Sequence, residues 1–226
     1  MKTLMFAALL VLCAVSLAGQ APATPDASTV PIPPPPSPSD APAHTSDLGF
    51  SYNIPSDWDV VDTKPMLPNV LQQAARDYGN EAAKMVACVQ LPLTAHHGNP
   101  PSAIAVVGLS FDCMGHPFTA QDLPGIASGV TEGLKKNIEI ANPVINTYTL
   151  GTHSMWIERA SGSLIGHPEF KRTVETVCSI LKKGVVCWMT LAADDVSLQT
   201  FENGAVTLDD DAATALVPSD ALQKKP

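Results

Sequence analysis

Two adjacent histidines, His96 and His97, are the residues most suggestive of chemistry, because neutral imidazole nitrogens bind transition metals. They lie in a predicted loop that continues through a glycine, an asparagine and two prolines. Neighbours in sequence rarely converge on one ion without a third ligand, and the nearby sequence supplies none. A solvated loop pair is therefore favoured, and we predict no metal site.

Acid–base candidates are scattered along the chain. On one predicted strand, His153 and Arg159 share a face while Glu158 takes the other, which weakens a catalytic grouping. Ser161 and Ser163 have no evident base. The short motifs of hydrolases, nucleotide-binding proteins, zinc proteases and dithiol oxidoreductases are missing. We therefore predict no catalytic and no cofactor-binding residue, although catalytic triads can be dispersed in sequence.

Acidic residues dominate the charge of the chain. The formal net charge is −9, which opposes binding to nucleic acid or to an anionic membrane surface, because both are polyanions. Three aspartates at residues 209–211 could attract calcium, but they lack the alternating ligands and the glycine of a calcium loop. We predict a flexible acidic tail over residues 209–226 and no nucleic-acid partner.

The N-terminal segment is typical of a secretory signal peptide over residues 1–18. A lysine near the start precedes an apolar run over residues 4–17, and Ser16 and Ala18 place small residues before a cleavage site. The run is shorter than the roughly 20 residues that span a bilayer, which argues against a retained membrane helix. A lipid anchor at Cys13 is a minor alternative, because a large residue precedes it. We predict an exported protein, periplasmic or secreted, with no transmembrane span in the mature chain.

Four cysteines remain after the signal peptide: Cys88, Cys113, Cys178 and Cys187. An even number in an exported chain predicts two disulfides, and four cysteines allow three connectivities. Pairing of Cys178 with Cys187 is favoured because they flank a probable hairpin turn, which leaves Cys88 with Cys113. A two-residue turn at residues 182–183 would place the first pair directly opposite, whereas a bulged glycine turn would offset it by one residue. Four buried thiols are the alternative.

Residues 19–45 are low in complexity and rich in Pro, Ala, Ser and Thr. Nine of the 21 prolines lie between Pro22 and Pro42. Such a segment has few apolar side chains to bury, so we predict a disordered linker with extended, polyproline II character. A spacer or a leader without a partner is favoured over a ligand for a proline-binding module.

The predicted folded domain covers residues 46–208 and opens with an aromatic hairpin. Phe50, Tyr52 and Ile54 alternate along one strand, and a proline turn leads to a returning strand at Trp58. These aromatic residues could line a ligand groove. A role in the core is favoured, because their strand spacing would bury a large apolar area.

The other predicted elements are, in chain order, a helix over residues 67–78, strands over 84–95 and 103–111, a helix over 119–138, strands over 144–150, 153–163, 169–181 and 185–193, and a last helix. Short connections between the last four strands predict an antiparallel meander. Pro124 is tolerated only in a first helical turn, so the second helix starts near Asp122. Asp194 is the predicted N-cap of the last helix, whose apolar stripe runs from Leu198 to Leu208.

The opening F-x-Y-x-I-P-x-x-W, and the ending in which a strand leads through Asp194 and Asp195 into a helix, resemble the PsbP-like family. Its fold is shared with the Ran-binding Mog proteins, and the cysteines and proline-rich leader point to a secreted bacterial branch. The resemblance covers most of residues 46–208. It implies an α+β fold with a curved antiparallel sheet of about six to eight strands and helices on both faces. It also implies assembly or accessory roles, no shared active site, and no photosystem- or Ran-binding residue that maps onto this chain.

Together these features favour a noncatalytic exported binding or accessory domain whose partner is an unknown protein or envelope component. An exported hydrolase with scattered catalytic residues and a carrier of small apolar ligands are the alternatives. A hydrolase requires a histidine beside a nucleophile or carboxylate, a carrier requires an apolar cavity, and a binding domain requires an exposed apolar or aromatic patch.

Overall fold

The structure, a computed structural model, describes residues 43–63 except Ser56, the single residues Pro68, Gln72 and Arg76, residues 87–98, and residues 101–223 except Lys136. The predicted signal peptide, nearly all of the predicted linker, most of the predicted helix over residues 67–78 and the start of the predicted strand over residues 84–95 lie outside these residues. Within them, no helix combines the length and the hydropathy that crossing a membrane requires.

Strands account for most of the described part of the chain. They are β1 (Ala43–Ser46), β2 (Phe50–Asn53), β3 (Asp59–Val60), β4 (Val89–His97), β5 (Ser102–Ser110), β6 (Ile138–Leu150), β7 (His153–Leu164), β8 (His167–Ile180), β9 (Gly184–Ala192), β10 (Val206–Leu208) and β11 (Asp211–Ala213). The helices are α1 (Phe111–Met114), α2 (Leu123–Leu134) and α3 (Asp195–Glu202). The fold class is α+β, as predicted.

The larger sheet has seven strands in the order β3-β4-β5-β9-β8-β7-β6, and every neighbouring pair is antiparallel. The predicted meander forms one half of it, because β6, β7, β8 and β9 each pair with the next strand. Strands β5, β8 and β9 lie inside the sheet, which agrees with their apolar residues on both faces. The size of this sheet is the one that the resemblance implies.

Helices lie on both faces of this sheet, also as predicted. On one face, here called the helix face, Ile126 and Val130 of α2 pack against Val107 and Met189. Helix α2 begins after Asp122 with a proline in its first turn, as its sequence predicts. The opposite face, here called the inner face, meets the smaller sheet and Phe201 of α3.

The aromatic opening forms a strand and a turn, but the predicted hairpin pairing is wrong. Strand β2 pairs with β1 and β10 in a second, four-stranded sheet of order β1-β2-β10-β11, whereas β3 pairs with β4 in the larger sheet. The turn itself is present, because the Trp58 amide donates to the Pro55 carbonyl at 3.1 Å. It carries the chain from one sheet to the other, so Phe50 and Tyr52 are buried between the sheets.

The C-terminal region also differs from its prediction. Helix α3 has the predicted N-cap, where Asp194 accepts a hydrogen bond from the Ser197 amide at 2.7 Å. It ends at Glu202, and the rest of the predicted apolar stripe forms β10 beside β2. A side chain at Gly204 would lie 2.4 Å from the Tyr52 ring, so only glycine lets the chain pass there.

The segment predicted as a flexible acidic tail is packed against the domain as far as the structure describes it. Residues 211–213 form β11, which pairs with β10. Beyond it, Leu216, Val217 and Ala221 are buried in the same core as Phe50 and Trp188. The hydrophobic effect explains the difference, because these apolar residues find a partner surface on the larger sheet that sequence periodicity does not reveal.

Candidate functional site

The four cysteines lie in two pairs at disulfide distance, in the connectivity that the sequence favours. Cys178 and Cys187 face each other across β8 and β9 with 4.1 Å between their Cα atoms, and Cys88 and Cys113 are 5.5 Å apart by the same measure. The turn between β8 and β9 is the two-residue alternative, since the Leu181 amide donates to the carbonyl of residue 184 at 2.8 Å. Sequence separation and turn geometry therefore suffice to place the local pair.

The adjacent histidines take different partners. The ring of His97 stacks on Trp58 with 5.7 Å between centroids, and its Nδ1 lies 3.0 Å from the carbonyl of Asp57. His96 instead lies 3.9 Å from the carboxylate of Asp59. Within the residues that the structure describes, no group of three or more His, Cys, Asp or Glu is arranged to hold a metal ion. The two histidines therefore contact residues at the β3–β4 edge of the larger sheet, each with a different partner, and are not two ligands of one site.

A third histidine, His153 of β7, contacts the aspartate segment for which the sequence predicts a flexible tail. His153 Nε2 is 3.7 Å from Asp209 Oδ2 and 3.8 Å from Asp211 Oδ2. Asp211 accepts hydrogen bonds from the amide and hydroxyl of Thr152, at 2.8 and 2.6 Å, and these bonds hold its pKa below the usual range. Asp209 accepts from the amide of Lys182 at 3.1 Å. Through these hydrogen bonds Asp211 holds the β6–β7 turn and Asp209 holds the β8–β9 turn.

A serine-type catalytic pair does not assemble in the described ranges. Each hydrogen bond of a histidine ring nitrogen there joins it to a backbone carbonyl or to Glu169, and none joins it to a serine, threonine or cysteine side chain. Glu169 and its partner His167 are exposed neighbours at a hairpin tip, with side chains more than 60% accessible. As the sequence predicts, Glu158 lies on the helix face, where it accepts from Thr131, while Arg159 lies on the inner face.

Buried charge is concentrated on the inner face, around Glu175. Its side chain is fully buried in β8, and Arg159 Nε of β7 donates to its Oε2 at 2.5 Å. The same guanidinium donates through Nη2 to Glu202 at the end of α3. Burial raises the pKa of Glu175 to about 7 against the opposing effect of Arg159. Sequence patterning singles out Arg159 alone, because Glu175 and Glu202 lie on two other elements and no local spacing links them to it.

Two tyrosines stand beside this cluster. Tyr148 of β6 and Tyr52 of β2 donate their hydroxyls to the carbonyls of Leu216 and Phe201, at 2.7 and 2.8 Å. Burial, aided by the negative charge of Glu175, raises the pKa of both tyrosines far above the usual range. They therefore stay neutral, and Glu175 is the group of the cluster whose charge changes near neutral pH. Burial also raises the pKa of Glu202 above its usual range.

The outer strand β6 presents a long edge. Of its 13 residues, those near its start form a bulge with Asn142 at a positive φ of 54° followed by Pro143. The seven residues 144–150 that follow contain no charge, no proline and no bulge. Val144 and Ile145 are 51% and 45% exposed, and they point to opposite faces because successive strand residues alternate. This stretch has the features of an edge that can accept another strand.

Comparison with known proteins gives structural likenesses. No family model and no curated protein matches the chain. The solution structure of cyanobacterial PsbP (CyanoP) from Synechocystis sp. PCC 6803 matches at 10% identity and a TM-score of 0.40, over 67% of this chain and 78% of that one. The crystal structure of LpqN, described as involved in cell envelope biogenesis of Mycobacterium tuberculosis, matches at 15% identity and 0.36, over 67% and 75%.

The first of these structures is a PsbP, the family that the opening of the chain resembles. Both likenesses have TM-scores below 0.5, so they decide neither a function nor a partner for this chain.

Proposed function

We propose that this chain is an exported, noncatalytic accessory domain that binds an extended, uncharged segment of a partner protein along β6. The observation that supports the proposal is the seven-residue stretch 144–150, an outer strand without charge, proline or bulge. Natural proteins usually protect such edges, because unpaired backbone N–H and C=O groups recruit other strands. A strand added there would gain main-chain hydrogen bonds, with side-chain contacts giving specificity.

The other described sheet edges are poor alternatives. Strand β3 has two residues, β11 has three and β1 has four, so none offers a ladder of comparable length. The partner segment should itself be uncharged and rich in β-branched residues, because residues 144–150 offer no charge with which to pair. Val144 and Ile145 would contact it on its two faces.

Export is supported by two independent features. The N-terminal 18 residues have the composition of a signal peptide, and the four remaining cysteines lie in two pairs at disulfide distance. An envelope or extracellular partner is consistent with both. A hydrolase is not favoured, because the described histidines contact carbonyls and carboxylates rather than a nucleophile.

The proposal is tested by photo-crosslinking in the exporting cell. A benzophenone amino acid replaces Thr147, an exposed residue in the middle of the stretch, and adducts are identified by mass spectrometry. Ile145→Lys should reduce the adduct about tenfold, because a lysine on the edge disfavours strand addition. Val196→Lys, at a residue of α3 that is 73% exposed, serves as the matched control and should leave it unchanged.

Equal adduct yields from the two lysine variants would contradict the assignment of the partner to β6. An adduct of twice the chain's mass would assign the edge to self-association instead.

A further inference from the structure

The inner surface of β6 is covered by the last described segment of the chain, residues 214–223, here called the C-terminal strap. Tyr148 donates to the Leu216 carbonyl at 2.7 Å, and Asn146 Nδ2 donates to the carbonyls of Ala221 and Gln223 at 2.8 and 3.0 Å. Leu216 and Ala221 are buried beneath these bonds. The strap thus lies across the same strand whose outer edge is exposed.

The strap is also fastened to the end of α3. The Val217 amide donates to the carbonyl of Glu202, and the Leu216 amide donates to the carbonyl of Gly204, each at 3.0 Å. The backbone of Glu202 therefore holds the strap while its side chain binds Arg159 on the sheet. Movement of this residue away from the sheet would withdraw both strap amides from their acceptors.

The charge around Glu202 depends on whether its carboxyl group and that of Glu175 retain a proton. One guanidinium, Arg159, contacts both carboxyl groups, and Oε1 of Glu175 is buried without a hydrogen-bond partner among the described residues. The other titratable groups that face the cluster are Tyr52 from β2 and Tyr148 from β6, and both remain neutral. With one proton the cluster has no net charge, whereas two carboxylates beside one guanidinium leave a negative charge in a buried site.

We propose that Arg159, Glu175 and Glu202 form a proton-dependent latch that seats the C-terminal strap on β6 when the carboxyl pair retains a proton and loosens it when both are ionised. Glu202 is the group that moves, because its side chain is 17% exposed and lies at the end of a helix, whereas Glu175 is fully enclosed in the sheet. The latch depends on these contacts alone. Only its consequence for partner binding rests on the proposed function of β6.

The sign follows from proton linkage. Burial raises the pKa of both glutamates, so the seated form binds a proton more tightly than a loosened form with ordinary carboxyl groups. Seating is therefore complete at low pH and weakens as the pH rises from the ordinary pKa of a glutamate towards about 7, the folded-state value of Glu175. Over that interval the ratio of seated to loosened molecules falls by up to about tenfold per pH unit.

Native-state hydrogen exchange of the whole protein tests the latch without any partner. Protection of the Leu216 and Val217 amides, corrected for the intrinsic pH dependence of exchange, should fall by at least about tenfold between about pH 5 and 8. Amides of the central strand β9 should keep their protection, which separates strap release from global unfolding. Unchanged strap protection across this pH range in the wild-type protein would overturn the proposal.

A neutral amide at position 202 provides the second arm. Glu202→Gln removes the second carboxylate, so ionised Glu175 beside Arg159 leaves no net charge, and strap protection should no longer fall as the pH rises. Glu139→Gln, an exposed residue at the start of β6, is the matched control and should keep the wild-type profile. A pH profile that survives in Glu202→Gln would also overturn the latch. Because no partner enters these measurements, their failure is distinguishable from failure of the crosslinking experiment.

Discussion

The two faces of the seven-stranded sheet are both buried, yet they are built from different chemistry. On the helix face, α2 packs on apolar side chains and on Cys178 and Cys187. On the inner face, Arg159 and Glu175 lie beside a large aromatic core. Removing charge from water costs free energy that hydrophobic packing does not, so a buried ion pair is weak as a source of stability. Both faces therefore stabilise the fold, and the inner face in addition holds the titratable cluster.

Truncation of a large core residue on each face should give the largest effects. Trp188→Ala on the inner face should lower the free energy of unfolding by about 3–5 kcal/mol, because it removes a fully buried indole that packs edge-on against Phe50. Ile126→Ala on the helix face removes fewer atoms and should cost less, by about 1 kcal/mol or more. Urea unfolding at fixed pH measures both values. A larger loss in Ile126→Ala would show that the helix face, not the inner face, holds the dominant core.

The pH dependence of stability should come from the inner face. The folded-state pKa of Glu175, about 7, lies above its ordinary value near 4.5, so the folded state holds a proton that the unfolded state releases. Its contribution should therefore fall as the pH rises from about 4.5 to about 7 and stay constant above that, for a total of about 3 kcal/mol. The difference in urea stability between wild type and Glu175→Gln, taken at several pH values, isolates this contribution. The free energy of unfolding of the wild type minus that of Glu175→Gln should fall with pH. A value that rises or stays constant would contradict the raised pKa of Glu175.

The cysteine pair on the helix face should affect stability without affecting that pH profile. The double substitution Cys178→Ala with Cys187→Ala opens a loop of nine residues and should cost about 2–3 kcal/mol in the oxidised protein. Thermal unfolding with and without a reductant measures the cost, because the reduced wild type should approach the double variant. Identical melting of the oxidised wild type and the variant would mean that the two cysteines are not joined.

Two threonines allow the smallest and most closely matched comparison. Thr176 Oγ1 on the helix face and Thr190 Oγ1 on the inner face are both buried without a protein hydrogen-bond partner in the described part of the chain. Thr176→Val should be neutral or stabilising by up to about 1 kcal/mol, because the hydroxyl satisfies nothing there. Thr190→Val should be slightly destabilising, because Thr190 lies directly across from Glu175 and the substitution removes a hydroxyl dipole from beside that buried carboxyl group. Equal and favourable changes at both sites would remove the contrast between the faces.

Local features were predictable from the sequence, since the interactions that decide them lie within a few residues. The turn at residues 182–183, the Asp194 N-cap and the start of α2 after Asp122 follow from short-range chemistry and agree with the structure. The candidate surface was not predictable, because the residue pattern of 144–150 does not reveal whether that strand has a neighbour on one side or on both. Only the order of strands in the sheet reveals that β6 has no outer neighbour in the described sheet.

Pairing between segments that are distant in sequence accounts for the wrong predictions, which concern the aromatic hairpin and the acidic tail. The alternation of Phe50, Tyr52 and Ile54 correctly marks a buried strand, but its partner β10 lies about 150 residues away in sequence. The aspartates at 209–211 look solvated by composition, yet Asp209 and Asp211 accept hydrogen bonds from the turns between other strands. In both cases the sequence indicates which side chains a segment can bury or which hydrogen bonds it can form. Which other segment is its partner depends on the tertiary fold.

By itself the sequence determined the α+β class, the antiparallel meander and the acidic character of the chain, because periodicity, turn chemistry and charge are local or additive properties. The sequence only favoured the cysteine pairing, which the structure then decided. Tertiary structure alone decided that the aromatic opening and residues 206–213 form one smaller sheet. It also decided that Arg159, Glu175 and Glu202 meet on the inner face of the larger sheet. Three residues on three elements form a site only when the fold removes water around them, and no local pattern encodes that enclosure.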